Sequence, residues 1–280
     1  MKISDILSRG RPSVSFEVFP PKKDTSFDPV KEAVERLSRQ KPSFISVTYG
    51  AAGNAQANTV EIARFVESCG VTALAHLTCI NSTREKIESE ARALKESGIE
   101  NILCLRGDVA ESTSAKNHEF AHAAQLVETL GPYGFCLGGA CYPECHPECE
   151  HIEEDIAHLA GKVAAGLSFV TTQMFFDNSQ YFHFVDRLRN AGITVPVIPG
   201  LKPISSQRQI DLLPRSFHID IPQALVSELR KTKTADEAYQ VGIEWAVAQS
   251  RDLLAHGVPA IHYYTMAKTD NVCQIVKQCF

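Results

Sequence analysis

Val14-Ser15-Phe16-Glu17-Val18-Phe19-Pro20-Pro21 decides how the rest of the 280-residue chain is read. Apolar side chains fall on both parities, the signature of a short strand covered on both faces. The two prolines then stop it. Strands of that kind belong to parallel sheets flanked by helices. Glu17 is therefore placed in or at the end of a buried strand, where a carboxylate is costly unless paired or used. Two uses are open at this point. The group can be satisfied by backbone donors or a lysine, or it can serve as a general acid, whose protonated form burial favours.

Outward from this strand, the same apolar pattern recurs at 43–47, 72–75, 101–105, 135–140, 169–172, 195–198 and 260–264. Helical patterns lie between: 30–39 opened by Asp28-Pro29, 59–68, a helix capped by Thr83 and running to Ser97, 118–130, 155–165 and 179–190. Gly70, Gly98, Gly166 and Gly192 close four of them. Two or three helical segments fill 204–256 without a convincing strand, and a last helix covers 269–278. Eight strands separated by helices predict an α/β fold, a (β/α)8 TIM barrel over 1–280 as one domain, with a helix-rich insertion-like segment around 204–256. An open doubly wound sheet competes, but no strand runs into a Gly-x-Gly-x-x-Gly turn and no Walker loop is present.

A net charge of -5 argues against a nucleic-acid-coating surface. With no signal peptide and no membrane-length apolar run, the soluble cytoplasm is expected. Nine cysteines, an odd number in a long chain, do not read as a disulfide framework. Cys69, Cys79, Cys104 and Cys136 are expected to be small buried hydrophobes. Cys141, Cys145 and Cys149, with His146 and His151 interleaved, form the one metal-like feature. Pro143 and Pro147 oppose the helix that would align them, so packed or loop cysteines are expected and no metal.

The residues at the predicted strand ends are Glu17, Thr48, His76, Arg106 with Asp108, Tyr142 with His146, Gln173, and Tyr264 with Thr265. In a barrel all of them face the same mouth, where sites are built. His76 alone could be a satisfied core group, but polar ends recurring at one point of the repeat point to a site. Carboxylates, an arginine, a glutamine, histidines and aromatics suit a planar polar ligand with anionic portions better than a metal. A Schiff-base aldolase wants a lysine at a strand end, and none of the eight predicted ends carries one. An amidohydrolase wants a His-x-His pair, which is also missing.

The run Ser15-Phe16-Glu17-Val18-Phe19-Pro20-Pro21-Lys22 resembles the opening strand of methylenetetrahydrofolate reductases. So do Ser46-Val47-Thr48-Tyr49-Gly50, His76-Leu77-Thr78-Cys79, Leu105-Arg106-Gly107-Asp108, Tyr142-Pro143-Glu144 with His146-Pro147-Glu148, Thr172-Gln173 and His262-Tyr263-Tyr264-Thr265, in the family's order along nearly the whole chain. The resemblance implies a compact barrel flavoprotein that reduces 5,10-methylenetetrahydrofolate to 5-methyltetrahydrofolate. FAD would lie across the mouth, with NADH or NADPH and the folate taking turns against it. By the same resemblance Glu17 is the general acid that opens the folate's five-membered ring. Asp108 is the acid beside flavin and pterin, acting electrostatically. Gln173 and Gln209 would bind substrate, as would Lys268. Thr48, His76, Leu105, Arg106, Gly107, Asp108, His122, Tyr142, His146, Asp155, His158 and Lys162 match cofactor-contacting positions. Association into homo-oligomers is implied as well.

Four positions depart from the bacterial pattern. His122 replaces a tyrosine and His158 an asparagine, although helical spacing keeps Asp155, His158 and Lys162 together. Leu213 stands where a phenylalanine stacks on nicotinamide and substrate, and Lys268 replaces an arginine, losing the bidentate fork. These two bear on the reductant, so the same folate chemistry with electrons from a partner subunit is an alternative. A non-catalytic flavin- or folate-binding component of a redox complex is the other.

Overall fold

The computed structural model describes residues 1–21, 26–49, 55–107, 119–265 and 269–280, with backbone alone for 55–57. In chain order the first half runs α1 (Ile3–Leu7), β1 (Ser13–Val18), α2 (Asp28–Ser38), β2 (Phe44–Val47), α3 (Ala55–Ser68), β3 (Thr72–Thr78), α4 (Arg84–Glu96), β4 (Asn101–Leu105) and α5 (Ala123–Leu130). The second runs β5 (Cys136–Cys141), α6 (Ile152–Ala164), β6 (Phe169–Thr172), α7 (Asn178–Asn190), β7 (Val197–Ile198), β8 (Gly200–Leu201), α8 (Gln209–Phe217), α9 (Gln223–Lys231), α10 (Ala235–Ala255), β9 (Ala260–Tyr264) and α11 (Asp270–Cys279). All described strand pairs are parallel, in the order β7-β6-β5-β4-β3-β2-β1-β9-β8. The result is a nearly closed TIM barrel.

The seventh predicted strand, 195–198, is reduced to Val197 and Ile198, and strand resumes beyond its predicted end at Gly200 and Leu201. Pro199, which has no amide hydrogen, divides the two pieces. Before the proline, Val197 and Ile198 pair with β6; after it, Gly200 and Leu201 pair with β9. The Pro199 carbonyl accepts from the His262 amide at 2.9 Å, so the break itself helps to join the two sheet edges.

Alternation along each strand sorts side chains between helices and barrel interior. On β1, Val14, Phe16 and Val18 join the outer core with Val34 and Leu37 of α2, while Ser15 and Glu17 have the opposite parity. The lower interior holds Phe44, Leu74, Leu103, Cys136, Phe169, Ile198 and Ala260. Short α1, which the sequence reading did not anticipate, plugs this end with Ile3, Ile6 and Leu7. Asn101 fastens it: its Oδ1 accepts from the Ile3 amide at 2.8 Å and its Nδ2 donates to the Ala73 carbonyl at 3.2 Å. Gly138 makes room for the Phe169 ring, since a β-carbon there would lie 2.4 Å from Cζ.

Other elements shift modestly. β3 continues through His76 to Thr78, so His76 lies within a strand rather than past its end. The helix expected from His118 begins at Ala123, and the one expected at 155 begins at Ile152. The 204–256 segment forms α8, α9 and α10, with an apolar cluster of its own around Met174, Phe176, Ile204, Leu213 and Leu225. Cys79, Cys104 and Cys136 are buried as expected, whereas Cys69 is only partly so.

Candidate active site at the barrel mouth

Strand register builds the centre of the site. Glu17 is paired across β1–β2 with Ser46 and across β1–β9 with Tyr264, and Ser15 is paired with His262. The Glu17 carboxyl is 6% exposed by residue. Its Oε2 lies 3.5 Å from Ser46 Oγ, 3.5 Å from His76 Nε2 and 3.9 Å from His262 Nε2. The Thr265 hydroxyl donates to the Glu17 carbonyl at 2.7 Å and fixes the strand end. His262 is held by Ser15 Oγ at 2.9 Å from Nδ1, by stacking on Phe44 and by the edge of Tyr264.

His76 sits close to Glu17 without being its counter-ion. Burial is the main cause that lowers its pKa to about 4; Glu17 opposes the shift and His262 adds to it. The ring is thus neutral in the ordinary pH range. Its Nε2 is buried with no hydrogen bond, an unused polar atom in the same place as the acid. What results is a buried carboxyl beside a neutral imidazole and two further hydrogen-bonding groups, an arrangement able to hold and move a proton.

The expected cofactor residues form a sector along β2–β6. Thr48 follows β2, and its carbonyl accepts from Thr59 Oγ1 at 3.2 Å. Leu105 ends β4, and the Arg106 guanidinium that follows makes two 2.5 Å bonds to Glu148. Gly107 has φ +90, and a β-carbon there would crowd Thr78 at 3.2 Å, so this turn needs glycine. Beyond β5, Tyr142 meets the His146 ring edge-on at 4.7 Å. Asp155 and Lys162 face this loop from α6: Asp155 Oδ2 accepts from the His146 amide at 3.1 Å, and Lys162 Nζ donates to the Ala140 carbonyl at 2.9 Å. Burial raises the Asp155 pKa and lowers that of Lys162, each opposed by the other's charge. His158 stacks on His122 at 6.4 Å, and its Nδ1 lies 3.7 Å from Cys149 Sγ. The helical spacing holds, but His158 turns to His122 and the cysteine loop.

Beyond β6, Gln173 Oε1 accepts from the Met174 amide. Gln209 opens α8 and accepts from the Ser205 amide at 2.7 Å. Leu213 is 4% exposed in the α8–α10 cluster. Asp108 and Lys268 lie outside the described residues. Three residues were not singled out from sequence: Ser46, His262 and Lys202. Ser46 and His262 sit one step down their strands on the interior parity, a signal available by counting back two from Thr48 and Tyr264. Lys202 follows β8 because the strand resumes after Pro199; it is 5% exposed, and its Nζ donates to the Pro203 carbonyl. A strand end therefore does carry a lysine, contrary to expectation. Among the described residues, no three His, Cys, Asp or Glu side chains converge as a metal site, and no helix is long and apolar enough to cross a membrane.

Comparison with known proteins adds independent findings. A family model described as methylenetetrahydrofolate reductase matches residues 2–279. The chain is 34% identical to 5,10-methylenetetrahydrofolate reductase of Pectobacterium carotovorum subsp. carotovorum, over 94% of this chain and 88% of that protein. It is 35% identical to the protein of the same name from Salmonella typhimurium, again over 94% and 88%. Methylenetetrahydrofolate reductase (NADH) 1 of Arabidopsis thaliana is 34% identical over 95% of this chain, which spans only 48% of that protein, about half its length. Among solved structures, a Clostridium thermocellum protein that binds two copies of 5-methyl-5,6,7,8-tetrahydrofolic acid superposes with a TM-score of 0.65 at 13% identity, covering 100% of this chain and 98% of that one. At that identity the likeness concerns the fold.

Proposed function

Because the chain belongs to the methylenetetrahydrofolate reductase family, oxidoreductases of folate one-carbon metabolism, we propose that it reduces 5,10-methylenetetrahydrofolate to 5-methyltetrahydrofolate with FAD as cofactor and NADH or NADPH as reductant. The observation that carries this reading is the buried Glu17 carboxyl at the barrel mouth, with His76, Ser46 and His262 within 3.9 Å of its Oε2.

The mouth suits a flavin dinucleotide. Among the described residues His76 offers a buried ring nitrogen without a hydrogen bond, Gly107 gives the turn after β4 its left-handed backbone, and Arg106 and Lys162 place cations on the same side. Thr48, His76, Leu105, Arg106, Gly107, Tyr142, His146, Asp155 and Lys162 would hold the cofactor, with His122 and His158 at its edge and Asp108 beside the pterin. When bound, FAD supplies two-electron hydride chemistry. Glu17 gives a proton to the folate so that the five-membered ring opens, and Ser46, neutral His76 and the neighbouring His262 keep the carboxyl aimed. Gln173, Gln209 and Lys268 orient the folate.

The test is spectroscopic. Anaerobic NADH should bleach the bound flavin of the purified protein, and methylenetetrahydrofolate should restore it. Glu17→Gln is expected to keep the flavin and its bleaching but to slow folate-driven reoxidation by about 100-fold or more. Reoxidation at the parent rate refutes the role of Glu17. A flavin that ignores both NADH and NADPH yet is reoxidised by folate assigns electron supply to a partner subunit.

A further inference from the structure

Glu144 lies on the β5–α6 loop between Tyr142 and His146, and no step above uses it. Its side chain is half-buried, and Oε2 accepts from the Asp220 amide at 2.5 Å. Asp220 belongs to the link between α8 and α9. His218, just before it, takes a left-handed turn with φ 52, and Ile219 is buried in the cluster that holds Leu213. One side chain thus ties the loop bearing Tyr142 and His146 to the hairpin that begins at Gln209.

Resting on the folate reading above, we propose that Glu144 is a positioning residue. Its bond to the Asp220 amide clamps the α8–α9 hairpin, and Gln209 with it, against the cofactor-side loop and so sets folate affinity. Apolar packing holds the hairpin to the barrel; the clamp sets where it rests.

The clamp responds to pH. Two charged groups from other elements bear on Glu144: Asp220 in the α8–α9 link and Asp177, which caps α7. Burial, helped by these two charges and opposed by the amide bond, raises the carboxyl to about 7. Released to solvent, the carboxyl returns to its lower ordinary range. The clamped state therefore binds the proton more tightly, and protonation favours the clamp. Neutral Glu144 keeps an oxygen for the amide while its repulsion with Asp177 and Asp220 disappears. The clamp is tightest below the ordinary carboxylate range, weakens as pH rises from there to about 7, and changes no further above that value.

Hydrogen-exchange protection of the Asp220 amide and the folate KM, measured from about pH 5 to 8 on the flavin-loaded protein, test this. The parent should lose protection and gain KM as pH rises to about 7 and then level off. Glu144→Gln, the neutral isostere, should hold the low-pH protection and KM throughout. Glu144→Ala should hold KM about tenfold above the parent's low-pH value at every pH, with kcat and flavin absorbance near the parent's. A glutamine variant that follows the parent's pH profile, or an alanine variant with the parent's protection and KM, overturns the clamp. Loss of flavin in either variant overturns it too, since the residue would then serve the cofactor loop alone. If the parent itself shows no folate turnover, the folate reading fails, and amide protection still decides the clamp.

Discussion

Replacing Gly138 by alanine tests how tightly the barrel interior is filled. The added β-carbon would lie 2.4, 2.6 and 2.9 Å from three atoms of the Phe169 ring. The ring has to retreat by about 1 Å to reach ordinary contact. It is fully buried, with Phe44 at 6.5 Å between centroids on one side, so little room exists. Overpacking of this kind costs about 1–3 kcal/mol. The stiffer unfolded chain of an alanine returns about 0.4–1 kcal/mol, and for a clash this deep the net is about 2 kcal/mol of destabilisation. By differential scanning calorimetry that is a fall in Tm of roughly 3–4 °C for a chain of this size. Phe169→Leu removes the clashing atoms, so the double variant should melt no lower than Phe169→Leu alone, a coupling of about 2 kcal/mol. A Gly138→Ala variant within about 1 °C of the parent, or a double variant that loses the sum of both single losses, would falsify the tight-interior argument.

Two further outcomes follow from local chemistry. Burial pushes Cys79 up to about 11 and Cys104 and Cys141 higher still, so a disulfide-exchange reagent near pH 8 should reach at most Cys69, Cys145, Cys149 and Cys279 in the native protein; rapid native labelling of Cys104 contradicts the packing. Thr83 caps α4 by accepting from the Lys86 amide at 3.2 Å, so Thr83→Ala should cost about 1 kcal/mol, a Tm loss of roughly 2 °C that Thr83→Ser largely avoids.

The elements most legible in sequence were those whose apolar pattern is set by burial on both faces. The strands 101–105, 169–172 and 260–264 occur with those bounds. Three features were not legible. A five-residue helix such as α1 is too short for helical periodicity, and its reason to exist is the open lower end of a barrel formed far along the chain. The resumption of strand after Pro199 depends on a partner, β9, that lies more than fifty residues on. At the mouth, polar side chains were taken to mark strand ends, yet interior positions near the top of a barrel face a polar site and can be polar themselves. That is why His76 was placed one step too late and His262 was overlooked, although both sit on the parity of their strands that leads to Glu17.

Every described strand pairing except one joins strands that are consecutive in the chain; β8 and β9 are separated only by three helices, whereas β1 and β9 are separated by nearly everything. Ser15 and His262, in contact at 2.9 Å, are 247 residues apart. On the ribosome, at about 5–20 residues per second, β1 waits roughly 12–50 s for its second neighbour. During that wait it presents an unpaired edge, the kind of surface through which nascent chains associate wrongly. Glu17 acquires Ser46 early and His262 and Thr265 only with β9. The proton-handling cluster and the nearly closed ring are therefore completed by the same late event, the arrival of β9, and a chain stalled before it has neither.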